Sequence, residues 1–98
     1  MKIKWTPRAV SDFNKILVYL YENWGIKELE NFINQTDNVL HRIAQNPQMF
    51  IESKQKKDVR KGVVTRHNSL FYRINPQKKE IQLLTFWDNR KDPKKLNY

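Results

Sequence analysis

The sequence predicts a small α+β domain in which one strand, two helices and three further strands follow one another along the chain. Two apolar stripes with three- and four-residue spacing lie in the first half, and three alternating apolar segments lie in the second. The connections between these last segments are too short for a parallel return, so the segments are expected to pair as an antiparallel meander. We expect residues 1–98 to form one domain with a single layer of helices on the sheet.

The first half begins with a short strand that leads directly into a helix. Ile3 and Trp5 alternate with lysines in this strand, which is expected to complete the sheet at an edge. Thr6 and Pro7 form a helix start, because a threonine hydroxyl caps free N–H groups and proline fits the first helical position. Gly25 allows the left-handed residue that commonly follows a helix end. The apolar stripe predicted to be buried consists of Val10, Phe13, Ile16, Leu17, Leu20, Tyr21 and Trp24.

A second amphipathic helix is predicted from about Ile26 to Ala44. Because the connection is tight, the two helices should form an antiparallel hairpin. Neither apolar stripe can remain in water, so the hairpin is expected to lie on the sheet. Asn46 and Pro47 end the second helix, and a polar loop over residues 48–58 follows, with Met49–Ile51 as its tether to the core.

Three strands are predicted in the second half, separated by polar breaks at His67–Ser69 and Asn75–Lys79. The first of these strands is expected over Val59–Arg66, and Asp92 and Pro93 should begin one helical turn in the charged tail. Apolar side chains recur at every second position of the other two strands, which places them on one face of the sheet. The residues predicted for this core face are Leu70, Tyr72 and Ile74, followed by Ile81, Leu83, Thr85 and Trp87.

Positive charge is concentrated in the second half of the chain. The formal net charge is +9, with six lysines and arginines against five acidic residues up to residue 49, and thirteen against five from residue 50 onward. A surface of this kind attracts nucleic acid, anionic lipid or an acidic protein. A lysine-rich surface that is merely solvated has no reason to segregate its charge, so we expect a negatively charged partner.

Several other classes of function find little support in the residues. No apolar run is long enough to span a bilayer, and the first residues lack the pattern of a secretory signal. With no cysteine there are no disulfides or thiolate metal sites, and a cytoplasmic location is expected. His41 and His67 have no carboxylate at metal-ligand spacing, and no nucleophile elbow or glycine-rich loop is present. We therefore expect no metal, no cofactor, no membrane contact and no small-molecule substrate.

Cations and aromatic side chains on the predicted sheet are the remaining candidates for a functional site. Metal-free cleavage of RNA needs a group that activates the 2′-hydroxyl, a cation for the charge on the phosphoryl oxygens and a donor for the leaving oxygen. The same side chains would equally hold a phosphate backbone without chemistry, and core packing is the alternative for the tyrosine and the tryptophan among them. The set consists of Arg60, Lys61, Arg66, His67, Tyr72, Arg73, Trp87 and Arg90.

Five features of the chain occur together in one known family. They are Trp5–Ala9 at the first helix start, the helical hairpin, the stop at Asn46 and Pro47, the strand Leu70–Ile74 and the segment Phe86–Arg90. In this order and length they resemble the RelE/ParE superfamily, the toxins of bacterial type II toxin–antitoxin pairs. The resemblance covers essentially the whole chain and implies a small toxin held inactive by a usually acidic antitoxin whose helices wrap it.

The resemblance implies one of two activities, ribosome-dependent mRNA cleavage in the RelE-like branch or poisoning of DNA gyrase in the ParE-like branch. The RelE-like branch carries a catalytic arginine three positions before the tyrosine of the central strand, and Ser69 occupies that position here. Arg90 matches a cation that this branch uses near the end of the last strand, and Tyr98 is the available match for its downstream aromatic. Because the arginine is missing, DNA gyrase is the favoured target. Cleavage of mRNA on the ribosome, with Arg66 or Arg73 compensating, is the alternative.

The predicted site residues depend on which activity applies. A ribonuclease would draw its catalytic groups from Arg66, Arg73, Arg90 and Tyr98, whereas a gyrase poison would use Arg90 and the tail Asp88–Tyr98 as contacts. A free-standing basic module that binds nucleic acid is an alternative of a different class. Contacts to the target or to RNA are predicted for Lys54, Lys56 and Lys57 in the basic loop, and for Arg60, Lys61, Arg66, Arg73, Arg90 and Lys91.

Overall fold

The structure, a computed structural model, describes residues 1–98. Its four strands form one sheet in the order β1-β4-β3-β2, with β2, β3 and β4 antiparallel and β1 parallel to β4 at the edge. The α+β fold with an N-terminal strand, a helical hairpin and an antiparallel meander is therefore confirmed. The elements are β1 (Lys2–Trp5), α1 (Pro7–Trp24), α2 (Ile26–Gln45), β2 (Val59–Val63), β3 (Asn68–Asn75), β4 (Glu80–Asp88) and a 3-10 turn (Pro93–Lys95).

The ends of α1 lie where the sequence predicts them. The Thr6 hydroxyl accepts a hydrogen bond from the Ala9 N–H at 3.1 Å, which caps the first turn. Gly25 ends the helix with φ of +96°, and its N–H donates to the carbonyls of Leu20 and Tyr21. The positive φ explains why glycine occupies this position.

Neither helix combines the length and apolar composition needed to cross a membrane.

The hydrophobic core lies between the helical hairpin and one face of the sheet. Tyr72, Ile81 and Leu83 are fully buried there, and Ile43 of α2 is equally inaccessible. The Tyr72 hydroxyl keeps a partner within the protein, because it donates to the Pro47 carbonyl at 2.7 Å. Burial raises the pKa of Tyr72, while the positive charge of Arg60 opposes that rise.

Part of the predicted α1 stripe is not buried. Phe13, Ile16, Leu17 and Leu20 pack against the core as expected. In contrast, Val10, Tyr21 and Trp24 are 44%, 58% and 69% exposed, so the prediction that they are buried is wrong. Val10 and Tyr21 lie at the margin of a stripe that is wider than the helix surface covered by the sheet and α2, whereas Trp24 lies within the stripe but is the last residue of α1.

A bulge changes the side-chain alternation within β4. Phe71 pairs with Thr85 and Tyr72 pairs with Leu83, so Leu84 is an extra residue with no partner in the ladder. The Leu84 carbonyl accepts a hydrogen bond from the Thr6 hydroxyl at 3.3 Å.

The residues beyond the bulge show its effect on the core. Phe86 is 4% exposed and joins the core, whereas Trp87 lies outside it. The prediction of Trp87 on the core face is therefore wrong, because strict alternation cannot continue through an inserted residue. Thr85 is buried as predicted, but its hydroxyl donates to the Asp12 carboxylate of α1.

The second strand ends earlier than the sequence predicts. β2 stops at Val63 instead of Arg66, and the break lies at residues 64–67 instead of His67–Ser69. The Thr65 hydroxyl accepts hydrogen bonds from the N–H groups of His67 and Asn68, each at 3.2 Å. These local bonds compete with strand pairing and turn the chain before Arg66.

The loop after α2 covers the outer edge of β2. The Ile51 carbonyl accepts from the Lys61 N–H at 3.1 Å, and the Val59 carbonyl accepts from the Ser53 N–H at 2.6 Å. Met49 and Phe50 pack on the core as predicted, but Ile51 is 83% exposed and is not part of the tether.

Candidate functional site

The sheet has a second face, directed away from the helices. Leu70 and Tyr72 face the core, so the alternating residues of β3 must point the other way. Residues directly opposite in an antiparallel pair share a face, which assigns the corresponding residues of β2 to the same surface. We call this surface the open face, and it consists of Val59, Lys61, Val63, Ser69, Phe71 and Arg73.

The C-terminal tail folds back onto the open face. The ring of Tyr98 stacks on the ring of Phe71 with 4.7 Å between centroids and 26° between planes. The Tyr98 hydroxyl shares a hydrogen bond with the Ser53 hydroxyl, and the side chain of Gln55 donates to the Pro93 carbonyl at 3.2 Å. Phe71 is consequently only 4% exposed, although it lies outside the core between helices and sheet.

Three of the predicted cations surround this stacked pair. The Lys56 ammonium lies 5.2 Å from the centre of the Tyr98 ring, a cation–π distance. Lys61 pairs directly with Phe71, and Arg73 follows Phe71 by two residues on the same face. The structure therefore brings Lys56, Lys61, Arg73 and Tyr98 to one surface. Lys54 and Lys57 are exposed in the adjoining loop.

Arg60 and Arg66 do not join this group. The Arg60 guanidinium donates to the Phe50 carbonyl at 2.5 Å and lies 3.9 Å from a Glu52 carboxylate oxygen, so it holds the loop against β2. Arg60 pairs with Tyr72 and thus belongs to the core side of the sheet. Arg66 is exposed in the turn between β2 and β3.

Arg90 and Lys91 lie at a different surface. The Arg90 guanidinium donates to both carboxylate oxygens of Asp88, at 3.0 and 2.9 Å. The bond from Arg90 holds the pKa of Asp88 below its ordinary value, and the same bond holds the pKa of Arg90 above its own.

Both residues line a groove between α1 and the end of β4, which we call the end groove. Its volume is about 740 Å³, and Arg8, Tyr19 and Trp24 of α1 lie across from Arg90 and Lys91. Trp24 is predicted from its spacing to be buried, and Tyr19 is not among the predicted site residues. Helical spacing places Trp24 on the same side of α1 as Phe13 and Leu17, which pack against the core, so spacing alone could not have identified it as a groove residue.

Ser69 is the residue on which the choice of activity depends. It is fully buried, and its hydroxyl donates to the Asn89 side-chain oxygen at 2.8 Å. The Asn89 N–H donates in turn to the His67 carbonyl at 2.7 Å, so the end of β4 is tied to the turn before β3. The Ser69 hydroxyl therefore has a structural hydrogen bond, and the nearest cation that the contacts identify is Lys91, whose ammonium lies 5.9 Å from the ring centre of Trp87, the residue paired with Ser69.

The structure contains no group of three or more histidine, aspartate or glutamate side chains placed as metal ligands would be. The polar and aromatic groups of the open face are the ammonium of Lys61, the guanidinium of Arg73, the Ser69 hydroxyl and the Phe71 ring. Such groups bind anions and pack against apolar or planar surfaces.

The fold and the placement of cations define a small basic α+β domain, with a helical hairpin on one face of a mixed four-stranded sheet and cations on the other. The chain belongs to the ParE toxin family of the type II toxin–antitoxin system parDE, whose model matches residues 3–93. Among curated proteins, none matches the chain in sequence.

Several solved structures share the fold. A chromosomal ParDE system from P. aeruginosa is 22% identical, with a TM-score of 0.75 over 90% of this chain and 95% of the other. A YoeB/ParE toxin from Agrobacterium tumefaciens is 10% identical, with a TM-score of 0.66 over 91% and 99% of the two chains. The intact E. coli RelBE complex contains a chain that is 13% identical, with a TM-score of 0.65 over 92% and 98%. Structures of both branches therefore have this fold, and the fold alone does not choose between them.

Proposed function

We propose that this toxin stops growth by poisoning DNA gyrase and does not act as a ribonuclease. The observation that carries the proposal is the environment of Ser69, where the resemblance places the catalytic arginine of the RelE-like branch. Ser69 is fully buried and bonded to Asn89. Loss of one donor to a developing oxyanion typically costs about 2.7–4 kcal/mol, or roughly 100- to 1000-fold in rate.

The other arginines are poorly placed to replace the missing one. Arg60 and Arg90 already have carboxylate partners at 3.9 and 2.9 Å. Arg66 lies in a turn, and Arg73 is four residues from Ser69 along β3, which corresponds to about 13 Å of strand. This arrangement supports the gyrase proposal, as does membership of the ParE family.

An acidic antitoxin is the proposed partner that neutralises the toxin. The net charge of +9 would accelerate association with an acidic chain. Affinity would come from an amphipathic helix that covers the exposed apolar side chains of the hairpin. Val18, Tyr21 and Ile26 are 55%, 58% and 57% exposed and offer such a surface.

Co-expression with the product of the adjacent reading frame tests the antitoxin proposal. We expect the two proteins to co-purify through a tag on one of them. We also expect Val18→Asp to weaken the complex more than Lys27→Asp, a nearby change at a position that is already polar. Failure to co-purify, together with normal growth when the toxin is expressed alone, would exclude this partner.

Induction of the toxin in cells tests its action. Mapping of mRNA 5′ ends and assay of gyrase supercoiling are carried out in parallel on the same cultures. Intact mRNA with inhibited supercoiling is the expected result. Arg90→Ala should reduce toxicity, whereas Arg42→Ala, an equal loss of charge on the far end of α2, should not. Rapid codon-periodic cuts in ribosome-bound mRNA would instead favour ribosome-dependent mRNA cleavage over gyrase poisoning.

Ribosome-dependent mRNA cleavage is the second candidate, and one observation favours it. Tyr98 lies on the open face beside Lys56, so an aromatic hydroxyl and a cation share one surface. A simple nucleic-acid-binding module is the third candidate. Submicromolar affinity for labelled duplex or single strands at physiological salt, falling steeply as salt rises, would favour that module over a toxin.

A further inference from the structure

The C-terminal tail and the loop over residues 48–58 meet across the open face, and both carry lysines. We call residues 92–98 the strap. The strap contains Lys94 and Lys95 and directly follows Lys91, and the loop contains Lys54, Lys56 and Lys57. The strap also carries Asp92, and the loop also carries Glu52 and Asp58, so the side-chain charge of each segment is only +1 and the strap is held by its direct contacts.

The contacts that hold the strap are few, and they converge on Tyr98. They comprise the stack on Phe71, the hydroxyl bond with Ser53 and the cation–π contact of Lys56. The only other hydrogen bond between strap and loop joins Gln55 to the Pro93 carbonyl. Segments held by few buried contacts open at much lower cost than the whole protein unfolds.

Opening of the strap would uncover Phe71. The residue is 4% exposed in the closed form, and the Tyr98 ring lies flat on it. Val63 is 54% exposed on the same face, while Lys61 pairs directly with Phe71 and Arg73 lies two positions along the strand. The uncovered surface would thus have an aromatic and aliphatic centre with cations at its margin. Protein interfaces commonly have an apolar centre and a polar rim.

We propose that the strap is an internal cover, and that its release presents Phe71, Val63, Lys61 and Arg73 as a surface that binds the toxin's protein target in addition to the contact at Arg90. The inference rests on the proposed function in taking that target to be a protein. The matching surface on the target presents an apolar side chain surrounded by carboxylates. Only molecules with an open strap can bind, so the apparent affinity is the intrinsic affinity multiplied by the fraction of molecules whose strap is open.

Nuclear magnetic resonance of the free, full-length toxin tests closure without reference to any target. We expect nuclear Overhauser contacts between the rings of Tyr98 and Phe71. These contacts should persist between about 10 mM and about 300 mM salt, because a ring stack and hydrogen bonds hold the strap and are little affected by screening. Tyr98→Phe should retain weaker contacts, since the ring remains but the bond to Ser53 is lost. Absence of the contacts in the wild-type protein, or their weakening as salt rises, would overturn the proposal.

Growth arrest at matched expression tests the consequence of opening, whatever the target is. Tyr98→Ala should be about fivefold to tenfold more potent than wild type, as expected if only a minority of molecules are open. Lys61→Glu should lose potency, because the edge position tolerates the change while the rim charge is reversed. A Tyr98→Ala variant that folds normally and is no more potent than wild type would refute the strap as a cover.

The same variants in a supercoiling assay separate this inference from the gyrase proposal. Wild-type protein that arrests growth without inhibiting gyrase would contradict the gyrase target, whereas the strap would still be judged by the two tests above. Stronger inhibition of gyrase by Tyr98→Ala would support both. If Tyr98→Ala instead gained affinity for single-stranded RNA of mixed sequence and not for a protein, the proposed kind of partner would be wrong.

Discussion

The two faces of the sheet are stabilised in different ways. The core face is covered by both helices, and Tyr72, Ile81 and Leu83 are fully buried on it. The open face has no helix over it and is covered at Phe71 by the ring of Tyr98. Burial of apolar area is large and non-directional, whereas a single stack with one hydrogen bond can be opened locally. The core face is therefore stabilised by apolar burial against both helices, whereas the cover over Phe71 depends on a few local contacts.

The largest expected effect comes from truncating a side chain on the core face. Leu83→Ala should lower the free energy of unfolding by about 2–5 kcal/mol, because it removes buried methyl groups and leaves a cavity. Urea denaturation measures this change. Val63→Ala, on the half-exposed open face, should cost under about 1 kcal/mol. Equal costs for the two variants would contradict the contrast between the faces.

A smaller effect is expected at the junction of α1 with the bulge of β4. Thr6→Ala should cost about 0.5–2 kcal/mol, because the hydroxyl both caps the helix and donates to the Leu84 carbonyl. Thr6→Ser keeps the hydroxyl and serves as the matched control. Thermal denaturation compares the variants, and a serine variant as unstable as the alanine variant would show that the hydroxyl is not responsible.

Tyr72→Phe should cost about 1 kcal/mol by removing the hydrogen bond to the Pro47 carbonyl. It should also change the response to alkaline pH. Because burial raises the pKa of Tyr72 in the folded state, its contribution to stability is fully present below the unfolded pKa of about 10 and is lost as pH rises through the folded value. The difference in unfolding free energy between wild type and Tyr72→Phe should therefore shrink above about pH 10. A constant difference from neutral to alkaline pH would argue against this linkage.

The smallest effect on stability is expected for the cations of the open face. Arg73→Gln should change the free energy of unfolding by under about 0.5 kcal/mol, since it lies away from the core. The same variant should lose potency in growth arrest if the open face binds the target. Lys2→Gln, an equal loss of charge on the edge strand β1, is the control. Retention of full potency by Arg73→Gln would remove this residue from the proposed surface.

The placement of the candidate residues was only partly predictable. The sequence identified Lys56, Lys61, Arg73 and Tyr98, and the structure brings them to one surface. It did not separate them from Arg90, which lies in the end groove with Asp88 as its partner. Strand alternation reveals which side of the sheet a residue faces, but not which partner a long side chain finds.

What the sequence by itself determined depends on neighbours along the chain. The start at Thr6, the stop at Gly25 and the antiparallel order of the last three strands follow from capping, backbone preference and short connections. The tertiary structure decided the bulge at Leu84, the exposure of Trp24 and the return of Tyr98 to Phe71. Each of these depends on contacts between residues far apart in the chain, such as the bond from Thr6 to the Leu84 carbonyl. Periodicity and local propensity carry no information about such contacts, so they are settled only when helices, sheet and tail pack together.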